Sequence, residues 1–296
     1  MNLPYNMKHL LLSLLIPVAF QSQASAAWSL VENFESLTPG ALNGRSGWTA
    51  GTNVNVAVDP SVSSNRVGSM GDVTTNAWKT MGSITTGTAT TYARFRFENI
   101  DNVSSTILGE SAGFVGVSDA ATPSAFTDFR TQIGVNPAFG DAVTRSFLLT
   151  SIDEDGAGAE NINRFPTGPQ LSPAVWYEAW TVMNNTSGEY QVYFQGGAYT
   201  TQTLLISDVA RNAVAIGNPG ARQESSYNFR GASSLSTATD AIKFFARTGA
   251  AHQAPLYFDD IWYDASGTNL SAVPEPSKAA FLMIGLGLVF ARRRRG

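Results

Sequence analysis

Apolar and polar residues alternate along most of this chain. In Tyr92-Ala93-Arg94-Phe95-Arg96-Phe97-Glu98 the period is two, which puts Tyr92, Arg94, Arg96 and Glu98 on one face of an extended strand. Ala93, Phe95 and Phe97 then take the other face, and Tyr190-Gln191-Val192-Tyr193-Phe194 alternates in the same way. Such runs recur between clusters of Gly, Asn, Ser and Thr, and no stretch holds a period of 3.6. Strands are expected over 28–34, 54–58, 78–84, 92–100, 113–117 and 129–135, then over 146–152, 176–184, 190–195, 203–207, 241–247 and 256–263. One short connecting helix is expected over 208–214. By the same parity Trp176 and Trp180 share a strand face, as do Tyr257, Asp259, Ile261 and Tyr263. The pattern predicts one all-β domain, an antiparallel sandwich of two sheets, with no internal repeat.

The two ends depart from this pattern. Lys8 and His9 precede the apolar run Leu10 to Phe20, and the small residues Ala24-Ser25-Ala26 follow, the layout of a secretory signal peptide over 1–26. At the other end Pro274-Glu275-Pro276 precedes an apolar run from Ala279 to Ala291 and four arginines, Arg292 to Arg295. That run reaches about 20 Å as a helix, short of a hydrocarbon core of about 30 Å. The arginines favour the cytoplasmic side. The expectation is a transient membrane stop over 273–296, leaving a body of 246 residues over 27–272.

Six of the 19 Lys and Arg and one of the 23 Asp and Glu lie in the end segments, so the body carries a net charge of −9. Nucleic acid and anionic lipid are thereby disfavoured as partners, since both need a positive patch. The chain has no cysteine, which excludes disulfides, thiolate catalysis and cysteine-bound zinc. His252 is the one histidine of the body and sits in the loop Gly249-Ala250-Ala251-His252-Gln253, where a solvated surface role is expected.

The C-terminal layout resembles the PEP-CTERM sorting signal of exported proteins in Gram-negative bacteria that make extracellular polysaccharide. The resemblance implies recognition at Pro274, Glu275 and Pro276, a transient inner-membrane contact, and removal by an exosortase-type processing enzyme. It also implies a place at the cell surface or in the matrix, with polysaccharide as partner. In the body, Glu32 to Gly40, the pair Trp176–Val182 and Gly188–Phe194, and the closing Leu256–Tyr263 resemble the first strand, central hairpin and last strand of concanavalin A-like, laminin-G-like jelly rolls. What that resemblance implies is a jelly-roll sandwich whose last strand lies beside its first. The aromatic residues suit a glycan, because a pyranose has an apolar face and a polar rim.

Two sets of residues are candidates for chemistry. On a strand Asp259 and Asp260 are expected to point to opposite faces, so that one meets the apolar layer and needs a partner. With Glu35, drawn in by the jelly-roll resemblance, they form a candidate structural calcium site. Asp153-Glu154-Asp155-Gly156 lacks the downstream glutamate of a calcium loop and is expected to be a solvated turn. The Glu-x-Asp-x-x-Glu strand of laminarinase-type glycosidases is absent. Arg94, Arg96 and Glu98, then Gln132-Ile133-Gly134, then Tyr193 to Tyr199, follow the order of motifs that resemble those of alginate-lyase-like enzymes. Glycine (Gly134) and glutamine (Gln195) stand where those enzymes carry histidine and lysine. A lyase would use Arg94, Arg96, Gln132, Tyr193 and Tyr199, but the base is lost, and the favoured role is non-catalytic.

Overall fold

The computed structural model describes residues 28–71, 74–84, 87–98, 113–137, 147–153, 162–164, 166–210, 223–231, 240–246 and 255–274. Their strands are β1 (Ser29–Glu32), β2 (Gly40–Ala41), β3 (Trp48–Ala50), β4 (Val54–Val58), β5 (Arg66–Met70) and β6 (Thr75–Gly82). Then come β7 (Thr88–Phe97), β8 (Gly113–Ser118), β9 (Ile133–Pro137), β10 (Phe147–Asp153), β11 (Ile162–Arg164) and β12 (Trp176–Asn184). Last are β13 (Glu189–Gly196), β14 (Tyr199–Leu204), β15 (Tyr227–Asn228), β16 (Asp240–Ala246) and β17 (Leu256–Asp264). Residues 1–26, Glu275 to Gly296 and His252 lie outside the described residues, as does most of the helix expected over 208–214. Among the described residues no helix is long and apolar enough to cross a membrane.

The expected two-sheet antiparallel sandwich is what forms. A ten-stranded sheet runs β14-β13-β12-β7-β17-β5-β4-β2, with β1 also on β17 and β15 on β13. A seven-stranded sheet runs β11-β10-β9-β8-β16-β6-β3. β17 pairs with β1, β5 and β7, so the last strand lies at the centre of the larger sheet, beside the first. The inner positions of β7, Ala93, Phe95 and Phe97, join the core, as the alternation predicts.

Aromatic contacts hold the two layers together. Phe244 of the smaller sheet stacks on Phe258 of the larger, with ring centroids 4.1 Å apart, and Trp48 and Phe34 extend the cluster. Each fully buried ring of this kind contributes about 1.5–3 kcal/mol. Gly68, opposite Phe258, makes the packing possible: a Cβ there would stand 2.3 Å from the ring. Glu32 anchors the same corner. Its carboxylate accepts from Lys79 Nζ at 3.0 Å, from Trp48 Nε1 at 3.2 Å, and from the backbone of Asn33 and Phe34.

The strand expected over 129–135 begins only at Ile133. Before it, a 3-10 turn (Phe126–Asp128) and the buried Phe129 and Thr131 lie against the smaller sheet. There Val117 N donates to Thr131 Oγ1 at 3.0 Å, and Gly116 leaves room for the Thr131 carbonyl.

β17 breaks the period-two rule at one point. Asp259 pairs with Arg94 and Trp262 with Tyr92, so an extra residue is accommodated between them. That residue is Asp260, whose φ of 46° is left-handed. Two expectations change as a result. Asp259 and Asp260 both reach the outer side of the sheet, instead of opposite faces. Ile261 joins the inner core, while Trp262 joins an outer aromatic cluster with Tyr92 and Trp180.

Candidate functional site

The outer face of the larger sheet holds a cleft of about 510 Å³. β7 supplies Tyr92 and Arg94, and β12 supplies Glu178 and Trp180, because residues opposite one another in register share a face. Gln195 of β13, Gln202 of β14 and Asp260 of the bulge complete the polar wall. The floor is aromatic: Tyr92 and Trp180 meet edge to face at 5.0 Å, and Trp28 meets Tyr92 at 6.3 Å.

The fourth side is the chain after β17. Thr90 Oγ1 donates to Gly267 O at 2.8 Å and accepts from Asn269 N at 2.9 Å, so this segment turns back across the sheet. Gln202 Nε2 donates to Leu270 O, and Trp28 Nε1 to Ser271 Oγ, both at 3.2 Å. Leu270 and Val273 pack on the aromatic cluster, and Val273 and Pro274 line the cleft. Pro274 is thus the one residue of the expected processing motif within the described chain, and it stands at the cleft rim.

Charge in the cleft is unbalanced. Arg94 Nη1 donates to Asp260 Oδ2 at 2.8 Å, and its guanidinium lies 4.9 Å over the Trp176 ring. Burial raises the Glu178 carboxyl above the ordinary range; the nearby Arg94 opposes this and Asp260 adds to it. Burial also pushes the Tyr92 hydroxyl up, with the Glu178 charge acting in the same direction. Behind Asp260, burial and the Asp260 charge raise the Asp259 carboxyl well above 3.8. Its Oδ2 accepts from Asn65 Nδ2 at 3.0 Å, the same amide donates to Asp59 Oδ2 at 3.1 Å, and its Oδ1 is buried without a partner.

The candidate calcium residues do not converge. Glu35 is exposed and accepts from Arg66 N at 3.2 Å, Asp260 is committed to Arg94, and Asp259 to Asn65. Among the described residues no group of three or more carboxylates or histidines is placed to hold a metal ion. The residues of the lyase comparison are also dispersed. Arg94, Arg96 and Tyr193 belong to the outer face, where Arg96 Nε donates to Glu98 at 2.7 Å and Tyr193 packs beside the aromatic cluster. Gln132 is buried ahead of β9 in the other sheet. Tyr199 is in the core, edge-on to Phe194, with its hydroxyl donating to Pro169 O at 3.0 Å. Period-two reading found Arg94 and the Trp176–Trp180 face. It missed Glu178, Gln195 and Gln202, for which only their parity on β12, β13 and β14 was a signal.

No protein-family model matches the chain, and no curated protein does. Solved structures of similar arrangement include a sialidase at 10% identity and TM-score 0.44, covering 83% of this chain and 19% of that one. This chain therefore spans about a fifth of the sialidase's length. A metal-free lectin I-B4 from Griffonia simplicifolia is 9% identical with TM-score 0.43, covering 80% of this chain and 98% of the lectin. The exoplasmic/lumenal domain of VIP36, in its Ca2+/Man2-bound form, is 9% identical with TM-score 0.44, covering 84% and 90%. At this level of likeness no residue, ligand or metal carries over from them.

Proposed function

We propose that this protein is exported, loses its C-terminal segment to an exosortase-type enzyme, and acts at the cell surface or in the polysaccharide matrix by holding a saccharide. The observation that carries the reading is the cleft, which joins the aromatic floor of Tyr92 and Trp180 to a polar wall of Arg94, Glu178, Gln195, Gln202 and Asp260. A pyranose presents an apolar face and a rim of hydroxyls, and that combination fits it. The role is non-catalytic. Gln132 and Tyr199, which a lyase would need beside Arg94, are buried elsewhere, and proton abstraction needs a positioned base.

The export part of this reading rests on the sequence of the two ends. Titration of the protein against neutral, aminated and acidic oligosaccharides tests the cleft. Saturable binding to one class supports the reading, whereas clean negatives across all classes point to a purely structural surface protein.

A further inference from the structure

We propose that the cleft prefers a saccharide bearing a free amine, such as a hexosamine without its N-acetyl group, and rejects uronates; this rests on the reading of the cleft as a saccharide site. Of the residues lining the cleft, Arg94 is the one cation, and Glu178 and Asp260 are the two carboxylates. Arg94 is already engaged twice, by Asp260 at 2.8 Å and by the Trp176 ring at 4.9 Å. Among the described residues Glu178 has no cationic partner of its own at ion-pair distance.

A uronate would bring a third carboxylate to a wall whose one guanidinium charge is already paired with Asp260. Like charges in a partly desolvated cleft repel strongly. A sugar ammonium is a compact cation with three donors. Placed at Glu178 it supplies the missing charge, while Gln195 and Gln202 remain for hydroxyls and the apolar lining of Leu270, Val273 and the edges of Tyr92 and Trp180 for the ring.

The preference depends on pH through Glu178. The groups around it are Tyr92 and Arg94 on β7, Asp260 on β17, and on β13 the uncharged Gln195, its partner in register, with Asp259 acting one step away on Tyr92 and Arg94. Because burial raises the Glu178 carboxyl, it loses its charge above the ordinary glutamate range on acidification. Affinity for an amine therefore falls on the acid side as Glu178 protonates, and on the alkaline side as the sugar amine deprotonates.

Calorimetric titration of the full-length protein with tetramers of glucosamine, N-acetylglucosamine and galacturonate tests the proposal. The expected result is binding of the glucosamine tetramer about tenfold tighter than the acetylated one, a bell-shaped pH profile for it alone, and no binding of galacturonate. Glu178→Gln is expected to abolish the tenfold preference. Equal affinity for the amine and its acetylated form, a flat pH profile, or galacturonate binding as tight as either would overturn the preference and leave a saccharide site standing. Failure of all three ligands to bind would remove the saccharide reading itself.

Discussion

Asp240 opens β16 with its side chain fully buried. Its Oδ2 accepts from Ile84 N at 2.8 Å, and its Oδ1 has no partner. Burial, helped by the charge of Asp119, raises this carboxyl from 3.8 to about 6. The sign follows from which state holds the proton longer. Between about pH 4 and pH 6 the unfolded chain gives up its proton while the folded one retains it, so stability is lost as pH rises through that window. At about 1.4 kcal/mol per pH unit the loss is roughly 3 kcal/mol, complete above pH 6. Asp240→Asn keeps an acceptor for Ile84 N and removes the ionisation. Its amide group meets the same unsatisfied surroundings at every pH, so that cost cancels when one pH is compared with another. Urea unfolding of both proteins at pH 4 and pH 7.5 measures the difference. The variant's stability relative to the parent is expected to improve by about 3 kcal/mol from the lower pH to the higher. A relative stability that does not change with pH would refute the reasoning.

Substitutions at two further positions probe the backbone that shapes the sheets. Gly116→Ala would put a Cβ 1.9 Å from the Thr131 carbonyl oxygen. Because the obstacle is backbone, a loss of about 3 kcal/mol or more is expected in denaturant unfolding. At the bulge, Asp260→Asn keeps a residue that tolerates φ of 46°, whereas Asp260→Ala does not. Both remove the ion pair to Arg94, so the alanine variant is expected to be less stable than the asparagine variant by about 1–2 kcal/mol in thermal melts. Equal melting temperatures would mean that the left-handed conformation costs nothing there.

Alternation assigned faces in strands with one side in the core and one toward the outer side, while the wholly buried β8 and β16 were legible only as apolar runs. The alternation of Tyr92 to Glu98 gave β7 and the correct side for each residue. Trp176 and Trp180 were correctly paired on one face. What the period could not reveal is the bulge. Asp260 adopts a left-handed backbone that glycine would have signalled, and one extra residue moves Ile261 inward and Trp262 outward. The short strands β2, β3 and β11 carry two or three residues, too few for any period. Buried charge was equally hidden. Lys243 is fully buried, its ammonium donating to Ala125 O and lying 4.6 Å from the Phe129 ring, and only the loop folded over the smaller sheet puts those partners within reach. The lyase grouping rested on the order of motifs along the chain, and the sandwich buries Gln132 and Tyr199 away from Arg94. The calcium grouping took Glu35 from the jelly-roll resemblance, and here Glu35 accepts from Arg66 N while Asp259 accepts from Asn65. Glu178 and Asp260 meet across β7 only because β12 and β17 both pair with it.

The central claim is that a saccharide occupies the outer-face cleft, and the indole N–H resonances offer a direct test. The chain has six tryptophans. Trp180 lines the cleft with its Nε1 unpartnered, whereas Trp48 Nε1 is held by Glu32 in the core and Trp78 lies on the other sheet. In a proton–nitrogen correlation spectrum recorded during titration with glucosamine tetramer, the Trp180 signal is expected to move saturably while those of Trp48 and Trp78 stay in place. A Trp180 signal that remains fixed at saturating ligand, or movement confined to Trp48 and Trp78, would contradict the account.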